Sequence, residues 1–284
     1  GGEVDIPDSV TDIGDRAFAN NGINNLKIGS GITNINTGVF SYNQIGGEID
    51  IPDTVTHIGD QAFTQNKINT LKLGHSVQTI GTDAFSANQI SGKVDIPNTV
   101  TSIGTRAFTQ NLINTLTLGN HVVTINDDAF SRNQIKGILT IPDSVTAVGE
   151  NAFANNLIGK LVLGNHISTI GLYAFDSNAI NQITSTKPLN AGDYLRGQRA
   201  WVVATADASG NQIQNVKSVI ETALRADGTT GFTLPDGDNL TFVDQHDGQT
   251  WQYDAATDTL TDPNGQITST QVAFQFSSNG LGSY

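Results

Sequence analysis

Among the 284 residues of this chain, the side chains that could do chemistry are five histidines, scattered carboxylates and a few lysines. His121 and His166 stand 45 residues apart, and His75 precedes them at nearly the same interval. A zinc ion needs three or four such ligands at about 2 Å. Asp236-x-Asp238 and Asp258…Asp262-x-Asn264 could offer oxygens to Ca²⁺, although Asp and Asn at such spacing are the ordinary residues of turns. Lys187 or Lys217 could close a Lys–Asn isopeptide bond, by analogy alone, since no surrounding motif supports it. Trp251 and Tyr253 could stack on sugars, yet their alternate spacing reads as the inward face of a strand. Nucleophile-elbow, zincin, P-loop and dinucleotide-binding patterns are absent from the sequence. With no cysteine there is neither a disulfide nor a thiolate metal site. The reading is a protein without enzymatic activity and without a cofactor.

Whether any of these residues meet depends on the elements that hold them. Eight phenylalanines (Phe18, Phe40, Phe63, Phe85, Phe108, Phe130, Phe153 and Phe175) recur at alternating gaps of 22 and 23 residues. A period of that length marks a stacked solenoid. One residue before each Phe is small, and three residues after it stands an Asn, from Asn21 to Asn178. Five residues after it is an Ile, followed by an alternating pair such as Leu26-x-Ile28 or Leu71-x-Leu73. The run Ile23-x-x-Leu26-x-Ile28 is a leucine-rich-repeat core, with a short strand that stacks in parallel on its neighbours. A second apolar pair, Val55/Ile58 for example, predicts a second short strand. The segment around each Phe has room for one helical turn. The Asn row reads as an inward ladder satisfying buried backbone groups. Coils with Ile-Pro (Pro7, Pro52, Pro97, Pro142) alternate with coils ending in Gly (Gly29, Gly74, Gly119, Gly164), which indicates duplication of a two-coil unit. Two coils separate His121 from His166, roughly 10 Å at the ~4.8 Å spacing of parallel strands. That is too far to share one ion, and the histidines read as solvated turn residues.

The run Ile6-Pro7-Asp8-Ser9-Val10-Thr11-Asp12-Ile13-Gly14-Asp15-Arg16-Ala17-Phe18, with its copies at 51–63, 96–108 and 141–153, resembles the BspA-like leucine-rich repeats of bacterial surface proteins. The resemblance covers residues 1 to about 186. It implies an extracellular, cell-wall-associated chain, and several members of the family are adhesins for host or matrix proteins. The family often carries a Cys after the Phe where this chain has Asn, a departure that favours a Gram-positive style of protein.

Composition fits that setting. Only 37% of residues are hydrophobic and 14% charged, both below the ~45–50% and ~25% of ordinary globular chains. The net charge of −13, with no cluster of Lys or Arg, argues against nucleic acid and anionic membranes as partners. No stretch approaches the ~20 apolar residues of a membrane-spanning helix. Because Gly1–Pro7 repeats Gly46–Pro52 apart from one Val/Ile exchange and the chain has no Met, the sequence is expected to open mid-coil, with further residues upstream in the natural protein.

Along the main strand the outward position reads Asp5, Lys27, Asp50, Lys72, Asp95, Thr117, Thr140, Val162. The first five alternate in sign and read as cross-strand pairs. The candidate ligand-binding surface is therefore the neutral end, Thr117, Thr140 and Val162, together with the flanking Lys72 and Asp95. The sequence thus predicts a leucine-rich-repeat solenoid over 1–186, eight repeats of short parallel strands plus helical turns. A small β-rich domain follows over 187–284, Ig-like or β-grasp-like. Its Asp-Gly and Asn-Gly turns separate alternating runs, and one helix is expected at about 212–226. The expected function is adhesion to a host or matrix protein or to mucin glycans through the solenoid. The alternatives are a spacer that displays another binding domain, or an accessory region of a carbohydrate-active enzyme.

Overall fold

The structure is a computed structural model. It describes residues 2–180, 182–186, 189–190, 200–203, 212–219, 232–233, 240–244, 250–262 and 271–276. The array forms as the periodicity predicts. Along the long strands the inward residues are buried and most outward ones exposed, while Val4 on the first coil and the outward Val162 are half-buried. In Lys67–Lys72, Ile68 and Leu71 are buried while Lys72 faces solvent. Long strands pair in parallel, Gly46–Asp50 with Lys67–Lys72, Ser91–Asp95 with Leu112–Thr117, and Lys136–Thr140 with Leu157–Val162. The last of these strands also pairs with Gln182–Thr184. Opposite them, two-residue strands from Asn34–Ile35 to Thr169–Ile170 build one seven-stranded parallel sheet. Between the two sheets lies a continuous core of Ile, Leu, Val, Ala and Phe.

The phenylalanines stack as one column. Neighbouring ring centroids lie 5.1 Å apart at the closest and 5.7 Å at the widest. From Phe40 to Phe175 the rings are buried; Phe18, on the first coil, is only partly covered.

The turn that carries each ring takes the place expected for a helical turn, but its amides alternate in direction. Ala62 and Thr64 donate back to Gly59 and Gln61 within the coil. Gln61, Phe63 and Gln65 donate instead to Thr82, Ala84 and Ser86 of the next coil. A left-handed residue on each side of the ring produces the alternation, with φ of 58° at Gln61 and 52° at Gln65. Helical φ/ψ cannot run through such positions, so the turn stitches coils together rather than closing on itself.

The Ile-Pro and Gly coils alternate for a steric reason. A Cβ placed on Gly74, Gly119 or Gly164 would sit 2.3, 2.2 or 2.3 Å from the carbonyl oxygen of Pro52, Pro97 or Pro142 in the coil before it. Only glycine allows that approach. The Pro coils carry a second adaptation. Gly47, Gly92 and Gly137 have φ of 71°, 71° and 72°, and the strand register shifts beside Gly47 and Gly137. The shift leaves Asn69 and Gly159 of the facing strands without a register partner.

Beyond the array, described strands form a six-stranded antiparallel sheet in the order 200–203, 271–276, 240–244, 250–254, 259–261, 212–214. The β-rich character expected of this region is present. Phe242 and Trp251 are cross-strand partners and both are buried. The helix predicted over 212–226 is shorter at its start. Gln212–Gln214 is a strand, Asn215 takes a φ of 55°, and helix is described over 216–219. Residues 220–226 lie outside the described residues.

Candidate functional site

The outward face of the long strands holds the stripe read from the sequence. Asp5, Lys27, Asp50, Lys72, Asp95, Thr117 and Thr140 are exposed and Val162 is half-buried. Register places Asp5 opposite Lys27, Asp50 opposite Lys72, Asp95 opposite Thr117, and Thr140 opposite Val162. Pairing is denser than a simple cross-strand ladder. Lys27 Nζ lies 3.9 Å from Asp5, Lys72 Nζ 2.5 Å from Glu48 Oε1, and Lys93 Nζ 2.9 Å from Asp95. The Glu48 carboxylate holds the Lys72 ammonium above its ordinary value. A groove of about 920 Å³ runs over this charged part, with Lys72 and Asp95 in its wall. Thr117, Thr140 and Val162 continue the same face beyond it.

One residue of this face escaped the sequence reading. Ile138 is 62% exposed and stands two residues before Thr140 on the same strand face. Glu3, Glu48 and Lys93 occupy the equivalent place in the other Pro coils. Comparing that position across coils, rather than the stripe alone, would have found it.

A family comparison matches the BspA type leucine rich repeat region in six copies over residues 2–92 and 88–194. The chain belongs to the BspA-type leucine-rich-repeat family. No curated protein matches the sequence. Solved structures similar to this BspA-type chain include the pneumococcal vaccine antigen PcpA, at 16% identity and a TM-score of 0.42, with 83% of this chain and 68% of that one covered. A leucine-rich repeat protein from Bacteroides ovatus shares 21% identity at a TM-score of 0.47, covering 64% and 54%. A leucine rich cell surface protein from Faecalibacterium prausnitzii shares 21% at 0.38, covering 69% and 65%. The BspA-type chain thus matches less than two thirds of the length of the last two.

The BspA-type Asn row is structural, as its spacing predicts. Asn66 Oδ1 accepts from Ile45 N at 3.0 Å, while Nδ2 donates to the carbonyls of Phe40, Phe63 and Thr64 at 2.9, 3.1 and 3.3 Å. The pattern recurs to Asn178. Each amide therefore ties its own coil to the one before. His75, His121 and His166 are turn residues on the surface, whereas His57 lies exposed in the short strand His57–Ile58. Nδ1 of His75 meets Asp53 at 3.0 Å, and those of His121 and His166 meet the carbonyls of Asn98 and Asp143 at 2.8 and 2.9 Å. Backbone N–H groups of Ser30 and His75 hold the Asp8 and Asp53 carboxyls below the usual carboxylate range.

In the sheet beyond the array, Trp251 is buried and Tyr253 half-buried. Burial, helped by a 2.8 Å hydrogen bond to Asp258, pushes the Tyr253 phenol up. Asp258 also accepts from Lys217 N at 3.0 Å, and Asp262 is buried. Among the described residues no group of three or more His, Asp or Glu could hold a metal ion. Lys187, Asp236, Asp238, His246 and Asn264 lie outside the described residues. No described helix is long and apolar enough to cross a membrane.

Proposed function

We propose that this chain is a recognition region of an extracellular bacterial surface protein, and that it binds a host or matrix protein through the outward face of its long strands. Family membership supports the surface setting. The observation that carries the binding reading is the change of character along that face. Its first coils neutralise their own charges in ion pairs, and self-paired charges on an exposed surface contribute little to a partner. The later coils replace those charges with Thr117, Thr140, Val162 and the exposed Ile138. An apolar anchor is what a protein interface uses at its centre, and Lys160, the cross-strand partner of Ile138, sets a cation beside it.

The test is saturable binding of the purified chain to immobilised matrix proteins and mucins, repeated with Ile138→Asp. Loss of binding in that variant, with the thermal melt unchanged, supports the reading. Binding that survives Ile138→Asp but disappears when residues 187–284 are removed would assign recognition elsewhere and leave the array a spacer. The continuous core favours that second reading, because a column of stacked rings makes a stiff rod.

A further inference from the structure

A second furrow, of about 410 Å³, runs along the edge of the stack where the Phe-bearing turns emerge, away from the strand face. Its floor is a line of hydroxyls, one residue after each Phe. Thr64 Oγ1 meets Ser86 Oγ at 2.6 Å and Thr109 Oγ1 meets Ser131 Oγ at 2.7 Å. One rim is formed two residues after each Phe, by Tyr42, Gln65, Ala87, Gln110 and Arg132. The other is formed two residues before, by Gln61, Asp83, Arg106 and Asp128.

Three features of these rims point to a ligand. First, every one of these rim residues is left-handed, with φ between 52° at Gln65 and 58° at Gln61. Glycine is the residue such positions favour, and the same angle recurs at Arg16, Asn20, Asn151 and Asn155 beyond the furrow. The furrow nevertheless presents Tyr, Gln, Asp and Arg. Second, the amides of Gln61, Gln65 and Gln110 make no hydrogen bond among the described residues, while the Tyr42 ring is 45% exposed. Each amide offers donors and an acceptor to an incoming group. Third, the charges cancel. Asp83 grips Arg106 through two hydrogen bonds of 3.0 and 2.7 Å, and Asp128 and Arg132 add one charge of each sign. In a chain of net charge −13 this neutral furrow selects against both polyanions and cationic peptides. Free amides, a guanidinium and an exposed ring are instead the groups that bind neutral polyols.

The spacing narrows the ligand further. Between Phe40 and Phe153 the coils advance by 5.1 to 5.4 Å, close to the length of one pyranose unit in an extended β-1,4-linked chain. Part of the lining repeats every second coil, with Gln65 matched by Gln110, Asp83 by Asp128 and Thr64 by Thr109, while Gln61 gives way to Arg106 and Tyr42 to Ala87 and Arg132. An extended β-1,4-linked chain likewise repeats every second sugar, because successive rings are turned over. We propose that the turn-edge furrow is a binding site for a neutral, extended β-1,4-linked polysaccharide lying along the stack, one sugar per coil. The site lies on a different face from the one assigned to protein recognition, so neither reading depends on the other.

The test titrates the full 284-residue chain with cellohexaose and chitohexaose, and with maltohexaose as the α-linked, curved control, by calorimetry. Saturable binding of a β-linked hexamer, at least tenfold tighter than maltohexaose and tighter than the corresponding disaccharide, is the expected result. Tyr42→Gly and the double variant Gln65→Gly with Gln110→Gly then remove the rim while giving glycine the backbone angle it favours. Their melting temperatures hold or rise, and affinity falls about tenfold, the loss of one or two contacts. Ile138→Asp leaves sugar binding unchanged. Equal affinity for maltohexaose, no saturable binding of either β-linked hexamer, or unchanged affinity in the glycine variants would overturn the proposal.

Discussion

The buried asparagines show how one residue type can hold a whole array. Asn111 accepts from Ile90 N at 3.0 Å and donates to the carbonyls of Phe85, Phe108 and Thr109. Truncating it leaves Ile90 N without its acceptor, while the three carbonyls keep a donor each in Asn88 Nδ2, Asn133 Nδ2 and Ala87 N; an unsatisfied buried group costs about 1–3 kcal/mol. Asn111→Ala should therefore destabilise by about 1–3 kcal/mol in chemical denaturation. Asn21→Ala should cost less than about 1 kcal/mol, because its side chain bonds only Ala19 O at an exposed site. The carboxylates of the strand-end turns predict an acid response. Asp53 accepts from His75 N at 2.7 Å and is held below its usual 3.8. A carboxyl depressed in the folded state stabilises above its unfolded pKa, and that contribution fades as pH falls through the folded value. It is thus complete at neutral pH and is lost below about pH 4. Asn98 already makes the equivalent bond to Asn120 N at 3.0 Å. Asp53→Asn should accordingly narrow the gap between melting temperatures at pH 7 and pH 3.

At the scale of the element, the coil is legible wherever its chemistry repeats. The Phe column predicts its own energetics. Phe108→Ala removes a fully buried ring flanked by two others, at about 3–5 kcal/mol, whereas Phe18→Ala at the half-covered first coil costs measurably less in the same denaturation experiment. Strand, core and ladder positions could be read from the sequence because burial imposes a residue type on each of them. The geometry of the Phe turn could not. Arg16, Tyr42, Asp83 and Asn151 share a left-handed backbone but no side-chain type, so nothing in the letters marks it. The proposed binding surfaces were only half legible for the same reason. The outward stripe alternates in register and could be followed, while Ile138 and the furrow rims sit where the fold tolerates many residues. In the sheet beyond the array, Trp251 followed its alternation into the core, but Gln212–Gln214 shows a strand where apolar spacing alone suggested helix.

At the scale of the molecule, the Pro–Gly contact makes two coils, not one, the unit of construction. Deleting residues 57–101 joins equivalent positions and keeps the alternation. The shortened chain should unfold cooperatively with a modest loss of stability, as stacked repeats do. Deleting 57–78 instead sets Pro97 in the place of Gly74, where a Cβ falls 2.3 Å from Pro52 O, and circular dichroism melts should show a broad, weakened transition. The stack also has a mechanical character. Its inter-coil hydrogen bonds, such as Phe63 N to Ala84 O at 2.7 Å, point along its length, and each coil touches only its neighbours. Tension applied between the ends loads these bonds in sequence rather than together. A coil peels off whole while the next remains intact, and its 22 or 23 residues then pay out roughly 75 Å of slack. Pulled from its ends, such an array should lengthen in steps of that size.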